Sequence, residues 1–105
     1  MYYSISDMPN LKEVWLTGNI RTINITDCPL LTNLTMNEGP TGLTTLDGIG
    51  VSTITVPSTV TSIQNRAFEN NTNLTTAYIL GSKCYLNLSL FKGCNNLTNL
   101  YIYNT

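Results

Sequence analysis

From Leu11 onward the chain keeps restarting one short phrase, and no other feature limits its fold as tightly. Aliphatic-x-x-apolar-x-apolar stands at Leu11/Val14/Leu16, Leu31/Leu34/Met36, Val51/Ile54/Val56, Leu74/Ala77/Ile79 and Leu97/Leu100/Ile102, so the starts advance in steps of 20, 20, 23 and 23. A unit of that size cannot bury its apolar side alone and must stack on its neighbours, so the period predicts a solenoid. A second apolar beat trails the first by a fixed interval: Val14 then Ile23, Leu34 then Leu43, Ile54 then Ile63, Ala77 then Leu86. Alternation at Ile23-Asn24-Ile25 and Leu86-Asn87-Leu88 is the period-2 mark of a half-buried strand. Each coil is therefore expected to hold two short strands, and stacking turns them into two parallel sheets. The expected class is mainly β, a solenoid of about 4.5 coils with stacked parallel strands.

The chain divides as a single solenoid over residues 1–105: a partial coil 1–10, coils 11–30, 31–50, 51–73 and 74–96, and a partial coil 97–105. A third side closes each coil. It is short at Asp7-Met8-Pro9, Asp27-Cys28-Pro29 and Asp47-Gly48-Ile49. It is longer at Ala67 to Asn73 and Leu90 to Asn96, where a short helical turn is expected to drop Phe68 and Phe91 into the core, stacked on each other.

The second half of the chain resembles a known family. Val56-Pro57-Ser58-Thr59-Val60-Thr61-Ser62-Ile63, running through Ala67-Phe68 to Asn73-Leu74, is similar to BspA-like (Treponema-type) leucine-rich repeats, and Phe91, Gly93, Cys94 and Leu97 repeat the end of that phrase. The similarity is specific over residues 51–102, whereas residues 1–50 share only the strand positions. It implies a right-handed leucine-rich-repeat solenoid. It also implies an extracellular or cell-surface protein that serves adhesion and protein binding. The shared motif is structural, so it carries over no ligand-contact residue.

Composition excludes several function classes. The chain has 5 Lys and Arg against 6 Asp and Glu, without a basic cluster, which argues against nucleic acid. Its apolar runs are short, whereas a membrane span needs about 20 apolar residues. Met1-Tyr2-Tyr3-Ser4-Ile5 shows no basic region ahead of an apolar one, so any export signal lies elsewhere or was removed. With no histidine, no nucleophile motif and no phosphate-binding loop, the chain is not expected to be an enzyme. Cys28 and Cys94 share one column three coils apart, roughly 14 Å at strand spacing. A disulfide needs about 7 Å or less between Cα atoms, so the cysteines, Cys84 included, read as small buried hydrophobes.

Asp7, Asp27 and Asp47 recur on the same step as the first coils and are expected to stack. A calcium site needs about 6–8 oxygen ligands. The sparser pattern fits repeated capping of a turn that enters Pro9 or Pro29, so neither metal nor cofactor is expected. Glycosylation sequons start at Asn24, Asn33, Asn70, Asn73, Asn87 and Asn96, but the repeat itself generates them. Asn and Thr at coil corners are expected to bond to backbone and to neighbouring coils.

The outward positions of the first strand are Trp15, Thr35, Thr55, Tyr78 and Tyr101, and, two places later, Thr17, Asn37, Pro57, Leu80 and Tyr103. Trp15, Tyr78, Leu80, Tyr101 and Tyr103 form a candidate contact face for a protein or glycan ligand. Ordinary β-propensity of Tyr and Thr accounts for the same pattern. Residues 97–105 and 1–10 together make almost one coil. Two readings follow: a piece of a longer repeat protein, or a subunit that polymerises head to tail into a filament through Tyr3, Ile5, Leu97, Leu100 and Ile102.

Overall fold

In a computed structural model of the chain, the described residues are 2–18, 20–36, 41–43, 45–64, 66–80 and 88–103. They form a mainly β, parallel-strand solenoid of about four turns. The first strand of each coil is β2 (Glu13–Leu16), β4 (Asn33–Met36), β7 (Thr53–Val56), β9 (Thr76–Ile79) or β10 (Asn99–Ile102). The second side carries β1 (Tyr2–Ser6), β3 (Thr22–Cys28), β5 (Gly42–Leu43), β6 (Thr45–Ile49) and β8 (Ser62–Ile63). Leu86 and Leu88, expected to form a further second strand, fall largely outside the description: Leu86 is not described, and residues 88–91 form a 3-10 turn.

Registers follow the repeat. Val14 pairs with Leu34 and Leu16 with Met36, on the shorter step of the first half. Ile54 pairs with Ala77 and Ala77 with Leu100, on the longer step of the second. The inward residues of the strands fill the core, with Ile23, Ile25, Leu46, Ile54 and Ile79 all fully buried, and Leu74 joins them from the turn before β9. Burial of each such aliphatic side chain stabilises the fold by about 1.5–3 kcal/mol. Between coils, one carbonyl repeatedly accepts two consecutive amides. Thr32 and Asn33 donate to Lys12 O, Thr75 and Thr76 to Ser52 O, and Thr98 and Asn99 to Thr75 O. Threonine hydroxyls reinforce this column, as from Thr75 Oγ1 to Ser52 O at 3.1 Å and from Thr98 Oγ1 to Thr75 O at 3.4 Å.

The ladder is not continuous. Among the described residues, β4 pairs with β2 and β7 with β9, but no ladder joins β4 to β7, which lie beside each other. The first-strand face is thus divided by a seam between Asn33–Met36 and Thr53–Val56.

Three expectations need correction. The second strand of coil 31–50 falls one place out of the simple period: Ile25 pairs with Leu46, Thr26 with Asp47 and Cys28 with Ile49. The strict period would turn Thr45 and Gly48 inward and Leu46 outward. The observed register keeps Leu46 and Ile49 in the core, and a slip by one place would reverse every side chain. Second, Ala67–Asn73 is a run of turns, and the nearest approach to a helix among the described residues is the 3-10 turn Leu88–Phe91. Left-handed φ at Arg66 (61°) and Asn70 (62°) breaks any helical run between them. Phe68 is nevertheless fully buried and meets Phe91 with ring centroids 5.3 Å apart. Third, Pro57 is buried rather than turned outward.

Candidate functional site

The outward column is built by register. Trp15 lies beside Thr35, and Thr55 beside Tyr78, which in turn lies beside Tyr101. The Tyr78 and Tyr101 rings stack with centroids 5.1 Å apart and planes 14° from parallel. Asn99 Nδ2 donates to the Tyr101 hydroxyl oxygen at 3.1 Å, which fixes the outer ring of the stack. Leu80 and Tyr103 extend the patch where the strands end. Leu80 N–H donates to Val56 O and Tyr103 N–H to Ile79 O, so both are held in line with the coil below and both are exposed. Trp15 stands apart. The residue is 64% exposed, its Nε1–H donates to Glu13 Oε2 at 3.2 Å, and Thr35 and Thr55 separate it from the tyrosines.

The short threonines leave a groove of about 540 Å³ at the seam, lined by Glu13, Asn33, Thr35, Ser52, Thr53 and Thr55 among others. The five aromatic and aliphatic candidates therefore fall into two groups with a polar groove between them.

Tyr3 and Ile5 lie in β1 at one end of the stack, and Leu97, Leu100 and Ile102 lie in or beside β10 at the other. The chain does not bring these two sets together. At the first end Tyr3, Ile5, Val14, Leu16 and Ile20 border an opening of about 320 Å³ into the core. At the other, Ile102 and Tyr103 are exposed.

The acidic ladder is also altered. The corner column is Asp7, Asp27, Gly48, Asn70 and Gly93, with φ of 55°, 56°, 70°, 62° and 81°. Left-handed backbone favours Gly, Asn and Asp, so this geometry gives Asp7 and Asp27 a structural reason to recur. Asp47 falls one place earlier, opposite Thr26. Its carboxyl is held above the usual carboxylate range by burial first, then by Glu69 and Asp27, against an opposing hydrogen bond from Asn70. Asp7, Pro9, Asp27, Pro29 and Gly48 line a shallow cavity of about 450 Å³ there. Among the described residues no group of three His, Cys, Asp or Glu is placed to hold a metal ion.

One polar residue of the core carried no distinct signal in the sequence. Asn71 is fully buried, accepts from Ile49 N–H at 3.1 Å, and donates to Leu46 O at 2.7 Å and Phe68 O at 3.1 Å. Only the corner column identifies it: Cys28, Ile49, Asn71 and Cys94 each follow a left-handed residue. Cys94 Sγ donates to the same Phe68 O at 3.0 Å, and Cys28 and Cys94 are both free thiols. Cys84 lies outside the described residues.

Stacked parallel coils of about 20 residues, each opened by an aliphatic residue, define a leucine-rich-repeat protein. The BspA type leucine rich repeat region, in 6 copies, matches residues 28–105, and the chain belongs to that family. The match begins at Cys28, further toward the N-terminus than the Phe-bearing phrase alone. No curated protein and no solved structure matches the chain. No helix among the described residues is long and apolar enough to cross a membrane.

Proposed function

We propose that this chain is a non-enzymatic interaction module, displayed on a cell surface or secreted, that binds a protein through its outer first-strand face. Its coils are taken as 11–30, 31–50, 51–73 and 74–96, wound right-handed. The family supports protein interaction and is typically surface-associated. The observation that carries the reading is the stacked Tyr78–Tyr101 pair, flanked by exposed Leu80 and Tyr103. Rigid aromatics with polar tips lose little conformational freedom on contact and are favoured anchors. The test is binding of the chain to a panel of purified extracellular host proteins by surface plasmon resonance. A partner found there should bind at least ten-fold more weakly to the Tyr78→Ala/Tyr101→Ala variant. Unchanged affinity in that variant would remove the face from the reading.

A second reading is self-association end to end. It is favoured by the strand edges: β2 and β10 are each paired on one side only among the described residues. A parallel pairing of Asn99–Ile102 of one copy on Glu13–Leu16 of the next would extend the Tyr78–Tyr101 stack onto Trp15. Such a heterologous contact does not close and builds a filament. Sedimentation of the purified chain checks it, and a concentration-independent monomer would exclude it.

A further inference from the structure

The seam between β4 and β7 points to a ligand chemistry, and we propose that the groove there binds a neutral oligosaccharide. The proposal rests on the outer face being a contact surface and deepens that reading by naming what the groove within it takes. Three observations converge.

An aromatic residue stands beyond each end of the groove, next to its lining threonines and not part of the lining itself. Tyr101 covers one face of Tyr78, since the rings are 14° from parallel, and the register turns the other face of Tyr78 toward Thr55, whose side chain is too short to cover it. At the opposite side stands the exposed Trp15 ring. Three coil steps separate Trp15 from Tyr78, at least about 14 Å, since the step across the seam is not a hydrogen-bonded strand pair. That width suits a short run of sugar rings rather than one small molecule. The apolar C–H faces of a pyranose pack on aromatic rings as other apolar groups do.

The lining itself is mostly hydroxyl and amide. Thr35, Thr53, Thr55, Ser52 and Asn33 both donate and accept, which matches the hydroxyls of a sugar. The facing edges of β4 and β7, which no ladder joins, add backbone groups to that set, because each parallel strand directs amides and carbonyls to both sides. A volume of about 540 Å³ lies within the usual range of ligand sites.

Charge narrows the class. Among the described residues Glu13 is the one ionised group of the lining, and no cationic side chain contributes to it. Sulfated, sialylated and phosphorylated sugars would meet a carboxylate and no counter-charge, so among oligosaccharides the lining favours those without acidic groups. One Glu13 oxygen is occupied by the Trp15 indole, which ties the neighbouring ring to the polar lining.

The single tryptophan of the chain makes the test direct. The intact chain is titrated with neutral tetrasaccharides of β-linked glucose, N-acetylglucosamine and xylose, and with a sulfated tetrasaccharide, while Trp15 emission is followed. A saturable blue shift with a neutral sugar, unchanged by added salt, is expected. Thr55→Tyr places in the notch the residue that Tyr78 and Tyr101 supply in the following coils, so it should keep the melting temperature and weaken sugar binding at least ten-fold. The proposal falls if no neutral tetrasaccharide shifts Trp15 emission, if only the sulfated one does, or if Thr55→Tyr binds like the parent. Should sugars fail while Tyr78→Ala/Tyr101→Ala still abolishes binding to a protein partner, the face stands and the sugar assignment alone is lost. Loss of neither on substitution would remove both.

Discussion

The side chain of Asn71 serves as backbone for Ile49: its Oδ1 accepts the Ile49 N–H at 3.1 Å from the next coil, at a position with no solvent exposure. Its Nδ2 closes two further bonds, to Leu46 O and Phe68 O. Replacing it by Leu would take this partner from the buried Ile49 amide and Leu46 carbonyl, while Phe68 O keeps the Cys94 thiol, and each buried group left unsatisfied costs about 1–3 kcal/mol. Asn71→Leu should therefore destabilise the chain by at least about 2 kcal/mol in urea unfolding, a large share of a domain's total.

Gly93 and Gly18 separate backbone strain from crowding. Both have positive φ, 81° and 89°, but a Cβ on Gly18 meets nothing within 4 Å, whereas one on Gly93 runs into the Asn70 carboxamide. Gly18→Ala should cost only the left-handed penalty of about 1–2 kcal/mol. Gly93→Ala should cost more, and Asn70→Gly in the same chain should recover the difference. Thermal melts of the three variants check the order.

Asp47 sets a pH dependence of definite sign. Its native carboxyl is held above the ordinary value of 3.8, chiefly by burial and then by Glu69 and Asp27. Between the ordinary and the raised value the native state binds more protons than the unfolded one, so this group's contribution to stability falls as pH rises through that window. Asp47→Asn, which keeps a hydrogen-bonding side chain beside Asn70, should raise the melting temperature at neutral pH and leave it nearly unchanged below the window.

Burial also governs the thiols. Cys28 has no solvent exposure. Cys94 is 8% exposed, and burial, its largest influence, pushes its thiol above the usual range. Little thiolate forms there at neutral pH, and the thiolate is the reactive species. Iodoacetamide should label both residues in urea and spare them in the native state, as read by site-resolved mass spectrometry.

The sequence by itself determined the coil, because a stacked repeat must place the same apolar beat in the same column. Val14 on Leu34 and Ile54 on Ala77 are read straight from the spacing. It determined as well that Phe68 would meet Phe91 and that Tyr78 would stand beside Tyr101. Only the tertiary structure decided the phase of the second strand, where keeping Leu46 and Ile49 in the core outweighs a strict period. That shift puts Gly48 rather than Asp47 on Asp27 and dissolves the acidic ladder. The seam between β4 and β7 was likewise invisible, since both strands carry the same phrase and their pairing depends on how neighbouring coils seat. A period records which residues face the core. Whether two adjacent coils close their hydrogen bonds, and what groove remains when they do not, is decided by packing across coils that no single repeat contains.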